Sequence, residues 1–93
     1  RRCGDFDEWA VPGLRFLVGD FFALTPSAVG PLDASYDRAA LVALPASLRA
    51  AYVERLAALQ PAGARGLLIG FEYPQAELNG PPFAVDEPAV RAL

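Results

Sequence analysis

The run Gly66 to Glu72 (GLLIGFE) constrains this chain more than any other stretch. It is apolar almost throughout, the composition of a strand covered on both faces. Pro74 ends it, because proline has no ladder donor. Just upstream, Ala46 to Gln60 sets Leu48, Ala51, Tyr52, Leu56 and Leu59 at helical spacing, which predicts a helix burying those side chains. Pro61 and Gly63 stop it. An amphipathic helix running into an apolar strand is half of a parallel crossover.

The remaining segments extend that pattern. Residues 1–13 mix charge, glycine and proline and read as a lead-in loop. Leu14 to Val18 (LRFLV) predicts a strand closed by Gly19-Asp20, and Thr25 to Leu32 a loop. Asp33 to Asp37 (DASYD) is a short strand of weaker composition. Asp86 can cap a final helix, with Pro88 in its first turn and Val90 and Leu93 facing inward. The order strand, strand, helix, strand, helix predicts an α/β fold of three parallel strands with crossover helices. Three open strands leave two bare edges and too little helical cover, so residues 1–93 are expected to be part of a larger domain.

Composition removes whole classes of chemistry. A 54% hydrophobic content with mean hydropathy +0.26 excludes intrinsic disorder. One cysteine, Cys3, excludes an internal disulfide framework. Without histidine there is no His-containing zinc site and no imidazole base. All 8 basic residues are arginine, which excludes Schiff-base lysines and a Walker lysine. A net charge of −3 and a pI near 4.7 argue against nucleic acid as a partner. No stretch can span a bilayer, and Arg1-Arg2 leads into acidic residues rather than a signal-type run. The expectation is a soluble, cytoplasmic monomer with no membrane partner.

In parallel sheets ligands bind beyond the carboxyl ends of the strands. Asp20, Asp37-Arg38 and Glu72-Tyr73 fall there. By position alone Asp20 reads first as an ordinary turn residue and only second as a ligand contact, and Glu72 reads as the point where a strand meets solvent. Asp37-Arg38 reads either as a local ion pair or as a ligand-facing pair, since Arg38 precedes the apolar AALVAL. Phe21 and Phe22 suit a core better than a stacking platform. Cys3 lacks a fixed basic partner, which argues against a catalytic thiolate. The acids Asp7-Glu8 and Asp86-Glu87 read as solvated or capping groups. No glycine-rich nucleotide fingerprint occurs. These residues point to a nucleotide-type α/β unit of undefined ligand.

Four strings carry a resemblance: GDFFAL (Gly19 to Leu24), YDRAALVALP (Tyr36 to Pro45), GLLIGFEYPQ (Gly66 to Gln75) and GPPFAV (Gly80 to Val85). In this order and spacing they resemble the bacterial thiopurine S-methyltransferase family, class I enzymes dependent on S-adenosyl-L-methionine. The resemblance implies a partial Rossmann-like fold in which residues 14–93 supply the third to fifth strands and a helix start. It also implies that the glycine loop and the ribose-binding acid lie outside the chain, so the isolated 93 residues should not bind the cofactor. By the resemblance, Asp20 and the Phe21 N–H meet the cofactor's adenine, and Arg38 binds near the reacting end. The GPPF loop walls the site of a thiopurine-like, selenium or tellurium acceptor. It implies no catalytic acid or base and no metal. The alternative is a truncated or degenerate domain serving as an interaction module, against which Asp20 and Arg38 stand in their family positions. An oxygen or nitrogen acceptor suits these strings less well.

Overall fold

The structure, a computed structural model, describes residues 1–77 and 79–93. Strand β4 (Ala34–Asp37) pairs in parallel with β5 (Arg65–Leu68), with Ala34 opposite Arg65 and Asp37 opposite Leu68. Helix α1 (Pro26–Val29), one turn capped by Thr25 with Pro26 at its start, stands in the segment expected to be a loop. Helix α2 (Ala46–Leu59) connects the two strands, as a parallel pair requires. This β4–α2–β5 unit bears out the α/β assignment, and its helix begins and ends within a residue of the expected 46–60.

The third parallel strand is not formed. Residues Leu14–Val18 are extended, as expected, but this strand, β3, lies in a separate antiparallel sheet of order β1–β2–β3. Its partners β1 (Arg2–Cys3) and β2 (Phe6–Val11) occupy the segment expected to be a loop. Turn chemistry is the reason. Pro12-Gly13 joins β2 to β3 with Gly13 at φ 82, a conformation that side chains resist. A two-residue connection can make only an antiparallel pair. Beyond β3, Gly19 lies under the Phe6 ring, where a Cβ would come within 2.5 Å of it.

The apolar run after Ala64 also departs from expectation. Strand β5 stops at Leu68 because its partner stops at Asp37, although the Ile69 N–H still donates to the Asp37 carbonyl at 2.9 Å. Rather than being covered on both faces, all four β5 residues are exposed, as are Ile69 and Phe71. These 93 residues supply one crossover helix, which packs against part of one face.

The core lies between α2 and the segments that follow the two strands. Leu41, Val42, Tyr52 and Val85 form it, with Phe21, Phe22, Leu44, Val53, Leu56, Ala89 and Val90 packed around them. Tyr52 and Leu59 of the predicted helical stripe are buried and Leu56 partly so, but Leu48 is 41% exposed and Ala51 is exposed as well. The stripe is on the right face; the core it packs against begins one turn later, at Tyr52. The last helix, α3 (Glu87–Arg91), is capped by Asp86, whose carboxylate accepts from the Ala89 N–H at 3.0 Å. Val90 faces inward there, whereas Leu93 is exposed.

Candidate functional site

Strand β4 ends at Asp37, and the chain turns at once into a short 3-10 turn, Leu41–Ala43. The turn is held by Asp37 itself. Its Oδ1 accepts from the Ala40 and Leu41 N–H groups at 3.0 and 3.3 Å, and its Oδ2 accepts from the Tyr52 hydroxyl at 2.5 Å. The Asp37 carboxylate is buried, and both of its oxygens accept from these donors. The local Asp37–Arg38 ion pair considered from sequence is absent among the described residues; Asp37 faces the core and Arg38 faces away.

Arg38 is exposed, and among the described residues its guanidinium has neither an ion-pair partner nor a hydrogen bond. It lines a cavity of about 510 Å³ with Ala39, Val42, Ala43, Phe71, Pro81 and Pro82. This volume falls in the range of small-molecule sites, which combine an apolar lining with a few polar groups. Here the one charged group is a planar fork suited to a carboxylate or another anion.

The GPPF loop forms one wall of this cavity and is secured at several points. The Phe83 N–H donates to the Val42 carbonyl at 2.7 Å and the Tyr73 hydroxyl donates to the Pro82 carbonyl. The Ala84 N–H donates to Gln75 Oε1 at 2.9 Å, and the Arg49 guanidinium lies 5.9 Å from the Phe83 ring centroid. Tyr73 thus supports the loop, while Glu72 is exposed beside Asp86 and Glu87 and lies outside the Arg38 cavity.

Asp20 caps a 3-10 turn at Phe21–Ala23, accepting from the Phe22 N–H at 3.0 Å. The Phe21 N–H sits at the first position of that turn, where no acceptor exists within the turn. The Phe21 and Phe22 rings pack against the core, as their composition suggested, and the Phe21 ring stands 5.0 Å from that of Tyr52. Asp20 and Phe21 are therefore linked to Arg38 through Tyr52 and Asp37, although they do not line the same cavity.

Tyr52 is the residue that sequence reasoning placed in the core and nowhere else. Burial, and then the hydrogen bond to the Asp37 carboxylate, push its hydroxyl well above the ordinary tyrosine range, so it remains a donor. The available signal was chemical: a tyrosine in a buried helical stripe needs a partner for its hydroxyl, and Asp37 is an acid at a strand end. Glu8 was also misread. It is 5% exposed rather than solvated, and it bonds Arg15 Nε at 2.6 Å and faces Arg1. The Arg15 hydrogen bond, with help from the charges of Arg1 and Arg15, holds its carboxyl below the usual glutamate range.

The geometry is that of a parallel β–α–β unit with a cavity next to the end of a strand, walled by apolar groups and carrying an arginine with no partner among the described residues. Comparison with known proteins narrows this. The family model described as Thiopurine S-methyltransferase (TPMT) matches residues 1–93. The chain is 55% identical over 84 residues to a thiopurine S-methyltransferase of Pseudomonas syringae pv. tomato, covering 90% of this chain and 38% of that protein. It is 51% identical over 88 residues to that of Nitrosospira multiformis, covering 95% of this chain and 40% of that one. With that of Xanthomonas campestris pv. campestris the identity is 56% over 80 residues, covering 86% and 37% respectively. This chain belongs to the thiopurine S-methyltransferase family. It spans about two-fifths of the length of these curated relatives. No solved structure matches it. Among the described residues, no helix is long and apolar enough to cross a membrane.

Proposed function

We propose that this chain is the central part of a single class I, Rossmann-like domain that transfers a methyl group from S-adenosyl-L-methionine to a soft acceptor. In this reading β4 and β5 are the fourth and fifth strands of the domain's sheet, and residues 14–18, paired here with β2, stand in the place of the third. The acceptor is a thiol of a thiopurine-like compound or a selenium or tellurium compound, and the whole protein acts as a cytoplasmic monomer. The observation that carries the reading is Arg38: a charge without a partner among the described residues, at a strand end, beside a cavity of about 510 Å³, in a chain of this family.

The donor set suits the cofactor. An adenine edge offers an amine and a ring nitrogen, which Asp20 and the Phe21 N–H can accept from and donate to. A guanidinium without a partner among the described residues suits either the carboxylate of the cofactor's amino-acid part or an anionic acceptor. When bound, S-adenosyl-L-methionine supplies a methyl group on a sulfonium, which departs as a neutral thioether. A thiolate attacking that methyl group needs no general base, so a site without histidine is adequate. What these residues contribute is orientation and exclusion of water. Arg38 holds an anion in line, while Phe71, Pro81 and Pro82 wall off solvent.

The test is methyl transfer to a thiopurine by the protein expressed from the gene that encodes this chain. Arg38→Ala should lower kcat/KM by roughly 30- to 1,000-fold, corresponding to about 2–4 kcal/mol of lost transition-state stabilisation. Arg38→Lys should recover part of the loss, because an ammonium lacks the planar fork. Wild-type kcat/KM in the alanine variant, with an unchanged melting temperature, would remove Arg38 from the site. Absence of transfer to sulfur, selenium and tellurium acceptors alike would overturn the activity.

A further inference from the structure

We infer that Asp37 and Tyr52 are positioning residues for Arg38, fixing from the core side the turn that aims the guanidinium into its cavity. The inference rests on the reading of Arg38 as ligand-facing. Asp37 precedes Arg38 in the chain, and three different elements hold it. Its carbonyl accepts from the Ile69 N–H just past β5, at 2.9 Å. Its Oδ1 closes over Arg38 and Ala39 to reach the Ala40 and Leu41 N–H groups. Its Oδ2 is pinned by the Tyr52 hydroxyl, which belongs to α2.

Arg38 therefore leaves a backbone tied down on both sides. This matters because its own guanidinium has no partner among the described residues. A long side chain of that kind keeps its rotamer freedom unless its base is held, and ligand binding must then bear the ordering cost. The Tyr52 hydroxyl is the one bond in this set that connects the turn to a rigid helix. The Tyr52 ring also stands against Phe21, so the same side chain links the Asp20-Phe21 turn to the Arg38 turn. A purely structural role for Asp37 and Tyr52 would stabilise the core equally well with any residue at position 38. A positioning role acts through Arg38 alone.

A double-mutant cycle separates the two, measured in the protein expressed from the gene that encodes this chain. Tyr52→Phe removes only the hydroxyl and should lower kcat/KM about 10-fold, a typical coupling for residues in one network. In the Arg38→Ala background the same change should cost nothing further. Asp37→Asn, which keeps an oxygen for the two amides, should retain most of the activity that Asp37→Ala loses; equal losses would mean that the charge itself acts. Amide hydrogen exchange at Ala40 and Leu41, which needs no turnover, should quicken in Tyr52→Phe. Additive losses in the double variant, or unchanged exchange at these amides, overturn the positioning role while leaving Arg38 in the site. Full activity in Arg38→Ala, with exchange still responding to Tyr52→Phe, instead overturns the reading of Arg38 and leaves these residues a core contact only.

Discussion

The antiparallel sheet of residues 2–18 and the parallel unit of residues 34–68 make their contacts in opposite ways. The first is assembled from neighbours in sequence. Glycine turns at Gly4 and Gly13 set its register, and across it Trp9 faces Phe16 and Val11 faces Leu14. It buries little, only Phe6 and Glu8, and leaves Trp9, Val11, Leu14, Phe16 and Val18 exposed along one face. The second pairs Asp37 with Leu68 across a 14-residue helix and depends on a shared core in which Tyr52 carries a buried polar bond. A local sheet can be correct in register yet thinly packed, whereas a parallel pair exists only when its crossover helix is docked. The candidate site belongs to the second kind.

The contrast breaks most readily at Asp37. Asp37→Ala leaves two N–H groups and the Tyr52 hydroxyl without their acceptor in or near the core, and should cost about 2–4 kcal/mol in a chemical denaturation series. A loss under about 1 kcal/mol would mean that the parallel unit does not depend on this bond. In the antiparallel sheet the most sensitive point is Gly19, where an added methyl meets the Phe6 ring. Gly19→Ala should cost about 1–3 kcal/mol by overpacking, visible as a lower Tm. No change in Tm would show that Phe6 is free to move away.

Acid should act on the antiparallel sheet through Glu8. Its folded pKa is lowered, so the unfolded chain binds the proton more tightly than the folded one. Its contribution is present above the ordinary glutamate range, near pH ~4.3, and is lost as pH falls through the lowered folded value. Melting curves between pH 3 and 6 should fall more steeply at the acid end for wild type than for Glu8→Gln; parallel curves would show that the Arg15 bond contributes nothing. The smallest effect is expected at the exposed pair. Trp9→Thr should change stability by about 0.2–1 kcal/mol, the worth of one cross-strand pair. A loss several times larger would mean that this face packs against something in solution.

Much of the parallel unit was legible because its signals are periodic. The stripe from Leu48 to Leu59, stopped by Pro61, and the apolar run ahead of Pro74 each follow one template; α2 lies on the first, whereas β5 takes up only residues 66–68 of the second. The antiparallel sheet was missed because residues 1–13 carry too much charge to resemble a strand. Yet four of the five charged side chains in that segment, Arg1, Arg2, Asp7 and Glu8, are ion-paired at the sheet, Glu8 also with Arg15 of β3. The Pro12-Gly13 turn was the readable clue, since that dipeptide commonly marks a tight reversal.

The sequence by itself determined the α/β alternation, the helix over residues 46–59 and the family, because periodicity, stop residues and strings such as YDRAAL are local properties of the chain. It also singled out Arg38, since a charge placed before an apolar run is visible without coordinates. Tertiary structure alone decided that Asp37 serves Tyr52 and the turn rather than Arg38, and that Arg38 shares a cavity with Phe71 and the two prolines. Those pairings join residues 15 to 44 positions apart, and one-dimensional spacing cannot say which of two adjacent side chains faces the core. Packing decides it: the carboxylate turns inward because two backbone amides and a hydroxyl await it there, whereas the guanidinium is exposed and finds no acceptor among the described residues.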